Sequence, residues 1–108
     1  MKPWQIWWAD LDPAEGHEQA GTRPVLVVSS PLHLAVTGRA LATVLPLTTR
    51  ERPGWLHRIP VKGPGAVSYV VTEQVRTIAV SRLAGPPQTL QPEEIAEVRR
   101  VLAKMLDV

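Results

Sequence analysis

The first group in this chain with an evident chemical use is an arginine set against an apolar run. Arg23 precedes Pro24 and then Val25-Leu26-Val27-Val28. Proline fixes its own φ and pushes the residue before it into extended geometry, and a short apolar run of this kind predicts a strand covered on both faces. Arg23 is thus expected to be fixed at its base and aimed outward. Upstream, Pro13, Gly16 and Gly21 punctuate a loop that carries Glu15, His17, Glu18 and Gln19, groups that transfer protons or bind phosphate. A guanidinium keeps its charge and forks onto two phosphate oxygens. The pattern therefore predicts an anion-handling site where a rigid strand meets a polar loop. The plainer alternative is an exposed arginine pairing with Glu18.

The elements that must position these groups are mostly strands. Runs rich in valine, isoleucine, threonine and tryptophan predict strands over Gln5–Leu11, Val25–Ser30, Ala40–Leu47, Arg58–Val61, Ser68–Thr72 and Arg76–Leu83. Breaks fall at Arg52-Pro53-Gly54 and Lys62-Gly63-Pro64-Gly65, as in an antiparallel barrel or sandwich. Ser30–Gly38 has room for a helical turn. After Gly85-Pro86-Pro87 the pattern becomes helical. Pro92 suits a first helical position, Glu93 and Glu94 the positive end of the dipole, and Arg99, Arg100 and Lys104 the other end. Ile95, Val98, Leu102 and Met105 make an apolar stripe, with Leu90 placed to staple onto Ile95.

Composition narrows the class. A length of 108 residues fits one domain, residues 1–108, with a small core. Cysteine is absent, so disulfides and thiolate metal sites are excluded. No apolar stretch is long enough to cross a bilayer as a helix, and the start, with Asp10 and Asp12 close behind the tryptophan pair, lacks the pattern of a signal peptide. A cytoplasmic protein is expected. The net charge is only +2, but residues 21–90 carry eight Lys/Arg against two acids, whereas residues 1–20 carry one against four. A basic middle is the usual footprint of a polyanion-binding surface.

Three motifs in order carry a resemblance: Trp8-Ala9-Asp10-Leu11-Asp12-Pro13, the block from Gly16 through Glu18-Gln19, Gly21 and Arg23-Pro24-Val25, and Glu73-Gln74-Val75-Arg76-Thr77-Ile78. Together they resemble the MazF/PemK toxin family over nearly the whole chain. The resemblance implies an SH3-like barrel of antiparallel strands with a C-terminal helix. It also implies a homodimeric endoribonuclease that cuts single-stranded RNA sequence-selectively, leaving 2′,3′-cyclic phosphate and 5′-hydroxyl ends, and an acidic MazE-like antitoxin as partner. Two rivals are a gyrase-poisoning toxin resembling CcdB and a catalytically silent RNA-binding module.

RNA is cleaved without metal when a base takes the 2′-hydroxyl proton, a cation steadies the charged phosphorane and an acid protonates the leaving oxygen. Arg23 suits the second role. The resemblance implies that Thr48 joins it, although Thr49 is adjacent and threonines at strand ends commonly form turns. Glu18 is the best carboxylate for the base or for holding Arg23, with His17 the alternative base. His17 and Gln19 from the same loop are candidate RNA contacts. So are Arg50, Gln74, Arg76 and Thr77, the last three from a polar corner that the resemblance places beside the site. Arg52 and Arg58 count as further separable contacts with phosphate. Glu73 is either a brace for that corner or a contact with substrate. Trp7 and Trp8 alternate faces, so at most one can stack on a base. Histidines at 17, 33 and 57 do not make a zinc set. No metal and no cofactor are expected.

Overall fold

The computed structural model describes residues 1–108. Seven strands form a curled antiparallel half-barrel: β1 (Gln5–Asp10), β2 (Thr22–Val27), β3 (Leu41–Thr48), β4 (Arg58–Lys62), β5 (Val67–Val71), β6 (Arg76–Ala79) and β7 (Leu83–Thr89). A short helix α1 (Pro31–Val36) joins β2 to β3, and α2 (Pro92–Leu106) closes the chain. Neighbouring strands run in the order β4-β5-β3-β2-β1-β7, with β6 also on β3. The mainly-β fold with a C-terminal helix is as the sequence predicts.

The central strand β2 is buried on both faces, because its alternate residues feed two separate cores. Leu26 joins Ile6, Leu45, Leu47, Val70, Leu90 and Val98 in one. Val25 and Val27 join Ala9, Leu11, Leu34, Ala42, Val44 and Ile78 in the other. The α2 stripe lies on the first core through Val98 and Val101, with Ile95 and Leu102 partly buried beside them; Met105, expected on the stripe, is exposed. Glu94 ties the helix start to the sheet: its carboxylate accepts the Gln91 N–H at 2.9 Å and the Lys62 N–H of β4 at 2.8 Å.

Strand β3 changes partner along one edge. Leu41–Val44 pair with β6, and Leu47–Thr48 pair with β5. Between them lies Pro46, which has no N–H to offer a ladder. The corner Thr72–Val75 between β5 and β6 turns at this gap.

Every predicted strand shifts at an end by at least a residue, and two depart from the expectation by more. Strand β2 starts at Thr22, so Arg23 and Pro24 belong to the strand, and it ends at Val27. The predicted strand Arg76–Leu83 is broken by a 3₁₀ turn at Val80–Arg82, and Leu83–Thr89, with the Gly-Pro-Pro that reads as a break, is strand β7. This strand pairs only with β1. The register between them shifts from Ile6↔Gln88 to Trp8↔Ala84, so the prolines sit in an irregular stretch of a strand with one neighbour, where missing N–H groups are tolerated.

Candidate active site

Strand register brings Arg23 and Thr48 together. Val25 pairs with Pro46, Leu26 with Leu45 and Val27 with Val44; continuing that register by two residues sets Arg23 opposite Thr48. Both line a depression of about 310 Å³ together with Ala20, Thr22, Pro24, Leu47, Thr49 and Ser68. The Arg23 Nε donates to the Ala20 carbonyl at 2.8 Å, and the side chain enters no ion pair. Anchoring through Nε leaves the two terminal nitrogens, the forked end that grips an oxyanion, to the depression. Thr48 is 8% exposed, and its Oγ1 accepts the Arg50 N–H at 3.2 Å. The hydroxyl proton is free to be donated.

Glu18 does not pair with Arg23. It lines an adjoining depression of about 240 Å³ with Gln19, Pro46, Glu73, Gln74, Val75 and Arg76, the gap where β3 changes partner. The two depressions are separated by consecutive residues, Gln19 from Ala20 in the loop and Pro46 from Leu47 in β3. One Glu18 oxygen accepts the Glu15 N–H at 3.2 Å.

Side chains hold the β1–β2 loop against this gap. The Gln74 carboxamide is used at both ends: Oε1 accepts the Gln19 N–H at 2.7 Å and Nε2 donates to the His17 carbonyl at 3.1 Å. At the loop's base, Leu11 N–H donates to the Gly21 carbonyl at 3.0 Å and Gly21 N–H to Asp12 Oδ1 at 3.0 Å. Gly21 has φ +74°, a conformation that costs glycine least. Arg76 Nη1 donates to the Leu11 carbonyl at 2.8 Å, so this arginine lines the gap while bracing the loop.

The other candidates are more scattered. The His17 side chain lines neither depression, and its backbone serves Gln74. Arg50 is exposed beyond Thr48 and lines neither. Thr77 faces Thr43, hydroxyl to hydroxyl at 2.9 Å, outside both. Arg58 corrects the expectation of a free phosphate contact. It is 8% exposed and grips Glu73 through Nε at 3.0 and 3.1 Å and Nη2 at 2.5 Å. Burial alone would push the Glu73 carboxyl up. The Arg58 hydrogen bond, a backbone hydrogen bond and the positive charges of Arg58 and His57 outweigh it and hold this carboxyl below its ordinary value. Glu73 is therefore a brace as well as part of the gap's lining. Trp7 packs against the second core, and Trp8, half exposed, lines neither depression.

Ser68 is a site residue that the sequence does not advertise. It is buried on β5 beside the Thr48↔Tyr69 pair, and a Cβ at Gly63 would collide with it, so that glycine lets the β4–β5 turn close onto Ser68. Only strand pairing reveals this, since no motif surrounds the residue.

A small antiparallel half-barrel thus carries at its edge an unpaired guanidinium and a hydroxyl, groups whose chemistry suits an oxyanion. Residues 2–106 match the model of the PemK-like, MazF-like toxins of type II toxin–antitoxin systems. Among curated proteins, the chain is 31% identical to endoribonuclease MazF9 of Mycobacterium tuberculosis, covering 100% of this chain and 98% of that one. Among solved structures it is similar to MazF from Deinococcus radiodurans, with TM-score 0.84, 29% identity and coverage of 100% and 97%. A MazE–MazF complex from the same organism matches with TM-score 0.72, 28% identity and coverage of 100% and 96%. The chain belongs to the PemK-like, MazF-like toxin family.

Proposed function

We propose that this chain is the toxin of a type II toxin–antitoxin pair, an endoribonuclease that cuts single-stranded RNA sequence-selectively and without metal, stalling translation and growth. The observation that carries the proposal is the open fork of Arg23 across from Thr48 in one depression. There the guanidinium meets the scissile phosphate as charge grows on it, and the Thr48 hydroxyl donates to a phosphate oxygen. Glu18, which lines the adjoining depression, takes the 2′-hydroxyl proton. The 2′-oxygen then attacks phosphorus as the bond to the 5′-oxygen breaks, and that oxygen takes up a proton from water as it leaves, giving a 2′,3′-cyclic phosphate and a 5′-hydroxyl. Gln19, Gln74 and Arg76 line the path of the neighbouring nucleotides.

Two features support metal independence: Arg23 already supplies the positive charge an ion would bring, and no three His, Cys, Asp or Glu side chains cluster as ion ligands. The working protein is a cytoplasmic homodimer, for so small a fold gains core by pairing. An acidic antitoxin of the MazE kind blocks the basic site by charge and shape; its support is the similarity to a toxin solved with MazE. Incubating the purified protein with mixed RNA in EDTA and mapping the ends tests the reading. Discrete cuts bearing 5′-hydroxyl ends are expected. Cutting that vanishes on chelation and returns with added metal would refute metal independence, and intact RNA under all conditions would refute the nuclease.

A further inference from the structure

A third depression, of about 590 Å³, lies at the far end of β2 from Arg23, where the chain before β1, the turn into α1 and helix α2 meet. Pro3, Trp4, Val28 and Pro31 supply its apolar walls, and Ser29 and Ser30 complete them. Two cations, Lys2 and Arg99, are the only charged residues of the lining. Both are exposed, and neither enters an ion pair. A hollow of this size, with apolar walls and a few polar groups, has the form of a small-molecule site.

Trp4 is held there against its backbone preference. Its φ is +67°, a left-handed conformation that costs any residue carrying a Cβ. Two hydrogen bonds keep it in place: Trp4 N–H donates to the Val27 carbonyl at 2.7 Å, and the Trp4 carbonyl accepts the Leu90 N–H at 3.0 Å. The half-buried indole packs partly on the first core and otherwise forms wall. The Arg99 guanidinium carbon lies 5.0 Å from the ring centroid. That contact uses the cation's charge against the ring face, while the N–H donors, which lie in the guanidinium plane, are left for an acceptor. The two hydroxyls are already engaged. Ser29 Oγ accepts the Thr43 N–H at 2.7 Å and lies 2.8 Å from His33 Nδ1, and Ser30 Oγ accepts the His33 N–H at 3.1 Å. The polar chemistry open to a ligand is therefore cationic.

We propose that this depression binds a small organic carboxylate with a flat apolar body, the body lying against Trp4 and the two prolines and the carboxylate meeting Arg99, with Lys2 as the second cation. Charge complementarity carries the choice of an anion, since two unpaired cations and no acid in the lining give a cationic ligand no partner. A carboxylate also matches the paired donors of a guanidinium, and an apolar body removes the walls from water. The inference stands apart from the nuclease reading, because Arg23 and Thr48 line a depression at the opposite end of β2.

The test titrates the 15N-labelled protein with indole-3-acetate, tryptamine and acetate, reading the backbone and indole N–H shifts. The first two probes share a ring and differ in charge, and acetate keeps the charge without the ring. Indole-3-acetate should move the Trp4, Ser29 and Arg99 signals with a Kd of about 1 mM or below, leaving Thr48 and Arg50 unmoved. Tryptamine and acetate should bind at least about tenfold more weakly. Arg99→Gln, at an exposed position outside the core, should weaken indole-3-acetate about tenfold and leave tryptamine unaffected. Trp4→Gly, a residue suited to this φ, should keep the fold and lose the binding. Trp4 and Arg99 signals that stay fixed up to about 10 mM indole-3-acetate would overturn the proposal. So would tryptamine binding as tightly as indole-3-acetate, or an unchanged Kd in Arg99→Gln. Shifts confined to Thr48 and Arg50 would assign the anion to the Arg23 depression and overturn it. A pentauridylate that moves the Trp4 and Arg99 signals at lower concentration than indole-3-acetate would overturn it in favour of RNA.

Discussion

The two adjoining depressions are made in different ways. The one holding Arg23 and Thr48 is built from strand pairing: both residues sit on strands whose apolar neighbours are fully buried, and only an Nε–carbonyl bond is added. The one holding Glu18 is built from side chains gripping a loop, with Gln74, Arg76 and Asp12 each satisfying backbone groups of the segment from Leu11 to Gly21. Strand geometry is enforced by the whole core, whereas a loop held by a few hydrogen bonds opens at the expense of those bonds. In the proposed reaction the rigid half suits the group that would meet developing charge, and the compliant half the groups that would admit a strand of RNA.

The largest expected effect comes from the rigid half. Replacing Arg23 with alanine removes the fork while leaving the pairing of β2 with β1 and β3 intact. Single-turnover cleavage should fall roughly 10²-fold to 10³-fold, with the fold retained and RNA affinity changed much less, because other cations share binding. Arg23→Lys keeps charge but not the planar fork and should remain strongly impaired. A folded Arg23→Ala protein cutting within about threefold of wild type would place the reacting phosphate elsewhere.

A smaller effect is expected in the compliant half. Gln74→Leu frees the Gln19 N–H and the His17 carbonyl at once. With each hydrogen bond contributing about 1 kcal/mol, amide exchange over residues 13–21 of the free protein should quicken about tenfold or more, and KM should rise with kcat less affected. Measured without RNA, the exchange separates a latch from a substrate contact. Unchanged protection would mean that the pairing of Leu11, Asp12 and Gly21 at the loop's base suffices alone.

Legibility in the sequence follows the same division. Arg23, the strand run behind it and the C-terminal helix were readable because proline, apolar runs and helical spacing are local signals. Strand β7 was not, since Gly85-Pro86-Pro87 reads as a break unless one knows that the strand has a single partner and an irregular register. Within the site, the pairing of Glu73 with Arg58 joins residues 15 apart, and the Gln74 latch joins residues 55 and 57 apart. Only the folded sheet creates such contacts. The same distance hid Ser68 and made Arg58 look like a free cation.

The smallest effect on rate, and a distinct one on stability, is expected at Glu73. This carboxylate lines the compliant depression, yet its two oxygens are committed to Arg58. Its folded pKa lies below the ordinary value of 4.5, so the folded state favours the ionised form. The stabilisation is therefore complete above the ordinary value and is lost as pH falls through the lower folded one. Glu73→Gln keeps the shape, removes the charge and leaves Arg58 short of its counter-ion. Because the Glu73 side chain is only a quarter exposed and that of Arg58 is 6% exposed, the loss at pH 7 should be about 1–2 kcal/mol, less than for a fully buried pair. That corresponds to a drop in Tm of several degrees. Melting both proteins across the acid range should show the gap closing below pH 4.5, while kcat at pH 7 stays within about threefold. A gap that persists undiminished at pH 3 would assign the stabilisation to neutral hydrogen bonding, and a large fall in kcat without loss of stability would move Glu73 from brace to reactant.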